Sequence, residues 1–189
     1  MGVGSQDPAA SVDLSGSEIR IVPIESGVLQ FATGSAYELW GGDSRIGELR
    51  LSSAGKAGKA LNEAEAVTDE GSWRLYRPVM RLRPHIDVTD LSSGAQVASY
   101  SSKVFGRGVI ELVGSGTFLR PGNPHAKRYR IETEAGETVL ELDADRLPTG
   151  EGTVSMGDSR LSRRDIVLLT VITCFARLLY ERLPTLRVP

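Results

Sequence analysis

The sequence predicts a mainly β protein, about twelve antiparallel strands closed into a barrel around a central, hydrophobic C-terminal helix. Three observations carry that prediction. From Glu18 to Met156 the chain runs in short apolar–polar alternations divided by Gly, Ser, Asn and Pro clusters, the pattern of half-buried strands. Most runs sit beside the next with few residues between them, which favours antiparallel pairing. The segment "RRDIVLLTVITCFARLLYERL" (163–183) then breaks the period and is apolar around most of a helical circumference.

In chain order, residues 1–17 read as a disordered tail. Their small and polar side chains cannot bury enough surface to offset the entropy of ordering. With neither a basic nor an apolar stretch, the tail is not a secretory signal. Residues 18–189 form one domain, long enough to bury a substantial core. "EIRIVPI", "VLQFA" (28–32), "AYELW" and "RIGELRLS" read as strands. The Ala- and Glu-rich stretch 53–72 reads as a surface loop. Alternation resumes with "WRLYR", "VMRLRPHIDVTD", "AQVASYS", "GVIELV", "TFLR", "KRYRIET", "ETVLELD" and "GTVSM". Turn formers divide them: "LSSG", "GSG", "RPGNP" and "EAG".

The helix is predicted over 163–183. Ser162 with Asp165 three places on resembles a capping box shortened by one methylene, and Pro184 ends the run. Its uninterrupted apolar stretch, Ile166 to Ala176, would cover roughly 16 Å, about half of a hydrocarbon core near 30 Å. Lengthening it brings in Arg177, Glu181 and Arg182, and a basic residue near a membrane centre costs about 2.5–3.5 kcal/mol. Thr170, Thr173, Arg177 and Glu181 fall in one stripe roughly 80° wide, with Arg177 and Glu181 spaced to pair. Every other position through Tyr180 is apolar, so protein must surround the helix on nearly all sides. The strands are the available wall, and the stripe is expected to face a gap, a file of water or a polar lining.

Composition narrows the chemistry. A net charge of −2 supplies no global basic field for nucleic acid. The basic residues are mostly arginine, a bias common in GC-rich bacterial genomes. The single cysteine, Cys174, excludes an internal disulfide framework and fits a reducing compartment. His85 and His125 lie far apart with no cysteine near either, so neither metal nor cofactor is expected. Gly58-Lys59 lacks the hydroxyl and the first glycine of a phosphate loop, and "GDSRL" (157–161) fails the nucleophile elbow at Leu161. No catalytic residue emerges, and the expectation is a non-enzymatic protein. Arg160, Arg163 and Arg164 precede the helix and are the candidate contacts for an anionic head group. Arg163 and Arg164 oppose the dipole of a first helical turn, which points to a carboxylate or phosphate partner.

Local phrasing adds a resemblance. "WRLYR" (73–77), "IDVTDLSSGAQVASY" (86–100), "YRIETEAGETVLEL" (129–142) and "RRDIVLLTVITCFARLLY" (163–180) follow one another as strands and a closing helix. In this order and pattern the chain resembles the tubby C-terminal-like superfamily, which includes the phospholipid scramblases and the LURP-one-related proteins. The resemblance covers roughly residues 19–183 and rests on no strict motif. It implies a barrel around a central helix and a binding role in the cytoplasm, peripheral at a membrane, with anionic phospholipid as partner. Two other readings stand beside it: a cytoplasmic protein-interaction module with no lipid role, and a tail-anchored membrane protein. "DADRLPTG" (143–150) begins like a Ca²⁺ loop, but Leu147 and Thr149 stand where oxygen ligands are wanted.

Overall fold

The computed structural model describes residues 18–24, 36–52, 62–78, 84–103, 107–121, 127–147, 149–157 and 160–182, with side chains up to Leu179 in the last segment. The expected tail (1–17), the expected strand at 28–32 and Leu183 lie outside the described residues. Twelve strands are present among the described residues. The first six are β1 (Ile19–Pro23), β2 (Ala36–Gly41), β3 (Ser44–Ser52), β4 (Glu63–Thr68), β5 (Gly71–Tyr76) and β6 (His85–Asp90). The rest are β7 (Gln96–Ser102), β8 (Gly108–Leu112), β9 (Gly116–Arg120), β10 (Arg128–Thr133), β11 (Thr138–Asp143) and β12 (Gly152–Met156). One helix, α1 (Arg163–Arg182), follows them.

Each strand pairs antiparallel with its chain neighbour. β1 also pairs with β12, Ile19 opposite Val154 and Ile21 opposite Gly152, so the sheet closes on itself and leaves no edge. One expectation is corrected. The stretch 53–72 is not a loop throughout, because β4 occupies its second half and is paired on both sides. Its inward residues are Ala64 and Ala66, which lie between Leu51 and Leu75 and between Leu49 and Trp73. Large neighbours fill the space, so small residues suffice there.

Period-two alternation turns one face of every strand inward: Tyr37 and Leu39, Leu49 and Leu51, Trp73 and Leu75, Ile86 and Val88, Ile131, Leu140 and Leu142 are all buried. The helix fills the space they enclose. Thirteen consecutive residues, Val167 to Leu179, are each no more than 6% exposed. Thirteen residues make more than three turns, so every direction around the axis is covered. Burial of each large apolar side chain among them contributes about 1.5–3 kcal/mol. Among the described residues, no helix is long and apolar enough to cross a membrane.

Up-and-down topology sorts the connections by end. Tight turns join β2–β3, β4–β5, β6–β7, β8–β9 and β10–β11 at one end of the barrel, here the first rim, where α1 begins. The opposite strand ends form the second rim, toward which α1 runs. From Arg163 to Arg177 the helix advances about 21 Å, matching a six-residue strand at 3.4 Å per residue.

Candidate functional site

The first rim holds the helix in place. Ser162 accepts a hydrogen bond from the Asp165 backbone N–H at 3.1 Å, and its hydroxyl donates back to the Asp165 carboxylate at 2.8 Å. This is the reciprocal cap expected from the sequence, except that the short Asp side chain reaches the hydroxyl in place of the backbone. Three consecutive helix residues then reach three different turns. Arg163 pairs with Asp69 and, at 3.3 Å, with Glu70 beyond β4. Arg164 donates to Asp90 at the end of β6 at 2.9 Å. Ser115, between β8 and β9, donates to Asp165 at 3.0 Å.

Asp90 is the centre of this clasp. Its Oδ1 accepts from the N–H and hydroxyl of Ser92, at 2.9 and 2.5 Å, and from the N–H of Ser93 at 3.0 Å. The Ser92 hydroxyl first, then the Ser93 N–H, hold its carboxyl well below the usual carboxylate range. The Arg164 guanidinium also lies 5.9 Å from the Trp73 ring centre, a cation–π distance. Arg163 and Arg164 therefore have carboxylate partners within the fold, which answers the dipole mismatch of the sequence. Arg160 is exposed.

The expected polar stripe divides into separate local arrangements. Thr170 is fully buried and donates to the Ile166 carbonyl one turn back at 2.9 Å. Thr173 is 2% exposed, and its hydroxyl has no hydrogen-bond partner among the described residues. Arg177 is 6% exposed, with its guanidinium 5.7 Å from the Tyr129 ring centre. The Glu181 side chain lies outside the described residues.

Toward the second rim the wall has a seam. β9 and β10 are paired over two residues, Phe118 with Thr133 and Leu119 with Glu132. Beyond them Arg120 places its guanidinium 5.2 Å from the centre of the Tyr129 ring that Arg177 also approaches, and 5.8 Å from Tyr100. Gly108, opposite Arg120 on β8, makes this approach possible: a Cβ there would stand 2.5 Å from the Tyr100 ring and 3.0 Å from Arg120 Nε. Two permanently charged guanidiniums and two tyrosines thus close the seam from within. The sequence carried a signal for it: in "TFLR", Arg120 shares its face with Phe118, which points inward.

Outside this seam the second rim is basic. Lys103 and Arg107 flank the β7–β8 ends, joined by a backbone bond of 2.6 Å, and Arg146 follows β11. All three are exposed and in no ion pair among the described residues; Glu151, just before β12, is an exposed acid on the same rim that is likewise in none. Lys127 and Arg128 between them are matched by Asp145 at 2.5 Å and Asp143 at 3.1 Å. The first rim has the opposite balance. Its exposed Glu18, Asp43, Glu134 and Glu137 lie in no ion pair among the described residues, while of its exposed basic residues Arg45 and Arg164 are paired and Arg160 is in no ion pair among them.

On the outer wall a groove of about 330 Å³ runs along β3 and β4. Its charges neutralise one another: Arg45 bonds Glu38 and Glu48, and Arg50 bonds Glu48, whose carboxyl is lowered chiefly by that Arg50 contact. His85 bonds Asp87 at 2.9 Å on the outer face of β6. Cys174 sits in the middle of α1, fully buried, and burial alone pushes its thiol up to about 12.

Comparison with family models, with curated proteins and with solved structures returned no match.

Proposed function

We propose that this chain is a non-enzymatic binding protein of the tubby-like kind, scramblase-like or LURP-one-like, that contacts anionic lipid head groups at a membrane surface through its second rim. The closed barrel around a C-terminal helix is the architecture that resemblance implies. The observation that carries the reading is the set of exposed cations at the second-rim ends of β7, β8 and β11, Lys103, Arg107 and Arg146, which are in no ion pair among the described residues. Clustered basic side chains attract an anionic leaflet with about 1 kcal/mol each. The contact is assigned to this rim because Arg163 and Arg164 already bond Asp69, Glu70 and Asp90. The test is co-sedimentation with phosphatidylcholine vesicles, with and without phosphatidylserine, across a salt series. Binding confined to anionic vesicles and weakening with salt is expected; none at low salt overturns the reading.

A cytoplasmic protein-interaction module without a lipid role is the second reading. It is favoured by Leu91 and Val113, which are 42% and 74% exposed on first-rim turns. Failure to sediment with anionic vesicles, together with loss of a protein partner in Val113→Ser, would favour it.

A further inference from the structure

We infer that the second rim meets a bilayer end-on, with the barrel axis upright, and responds to surface charge without selecting a head group. The inference rests on the second-rim reading above and goes beyond it in orientation and selectivity. Selective recognition of one head group needs several donors converging on one phosphate or carboxylate. Here the cations that are in no ion pair among the described residues stand apart. Lys103 and Arg107 belong to the β7–β8 ends, and Arg146 lies past β11, three strand intervals from β8. At 4.7–4.9 Å per interval that is at least about 14 Å around the rim, wider than a single phosphate.

Charges so separated engage several lipids at once, and only if all are brought near the surface together. Screening at physiological salt confines each attraction to about 8 Å. A barrel lying on its side would hold some of these cations beyond that reach. Standing on the second rim brings all three close. The first rim reinforces the choice, since its unpaired Glu18, Asp43, Glu134 and Glu137 are repelled by the same surface. Opposite charge at the two ends gives the molecule a preferred direction toward a negative plane.

The experiment has two arms, both on the full chain. In the first, vesicles carry phosphatidylserine, phosphatidylglycerol or phosphatidylinositol at matched charge. Equal binding is expected for all three. Each of Lys103→Gln, Arg107→Gln and Arg146→Gln should weaken binding about fivefold, and the triple variant on the order of 100-fold. In the second arm, single labelling sites are introduced as Thr149→Cys near the second rim and Val113→Cys on the first, native Cys174 being buried. Quenching by labelled lipid is expected at position 149 and not at 113. A preference above about tenfold for one lipid at matched charge, or equal quenching at both positions, overturns the inference and leaves lipid binding standing. No binding to any anionic vesicle overturns both.

Discussion

Alanine substitution around α1 tests whether the helix is enclosed. Leu168, Leu169 and Val171 point in three well-separated directions and are 3%, 0% and 0% exposed. Leu168→Ala and Leu169→Ala should each cost about 3–5 kcal/mol, toward the high end of the range for buried leucines. The wall around them is a hydrogen-bonded ring that cannot collapse inward to fill a void. Val171→Ala removes less volume and should cost about 2 kcal/mol. Alanine's better helix propensity returns only a few tenths of a kcal/mol. Urea unfolding followed by circular dichroism reads these costs. With a slope of about 2.5 kcal/mol per molar, a loss of 4 kcal/mol lowers the midpoint by roughly 1.6 M. A helix lying on the outside of a sheet would show one direction within about 0.5 kcal/mol of the parent. A single silent position among the three would refute the enclosed helix.

Two further outcomes follow from the clasp and from the middle of the helix. Because the Asp90 carboxyl titrates below its unfolded value, its contribution is complete above about pH 5 and is lost as pH falls toward the native value. Asp90→Asn should therefore flatten the fall in thermal midpoint between pH 5 and 2 that the parent shows; parallel curves would exclude Asp90 as a source of acid sensitivity. Cys174, its thiol raised by burial, should resist alkylation at pH 8 in the native protein and react fully in denaturant. Labelling of folded protein within minutes would mean the barrel opens readily at its middle.

Most of the wall was legible because its inward residues are large and its outward ones polar, as in Tyr37 and Leu39 of β2 or Ile86 and Val88 of β6. β4 was not. In "EAEAVT" the inward positions are alanines, the composition suits a helix as well as a strand, and Val67 points outward, 53% exposed. The pattern survives there at an amplitude too low to distinguish from a polar loop. The helix was legible from its circumference, yet its partners were not. Asp69 and Asp90 lie 94 and 74 residues before the arginines they bind, and only closure of the barrel brings them to one rim. The cations of the second rim are hidden for the same reason: Lys103 and Arg146 are far apart in the chain, and four successive antiparallel connections return both to one rim.

The pairing of β1 with β12 also bears on biosynthesis. All the strands through β12 must be made before β1 finds its mate, and the plug that the cylinder surrounds is made later still. Nascent intermediates therefore carry two unsatisfied strand margins and an empty greasy lumen, so chaperone dependence should be greatest just before the plug is made.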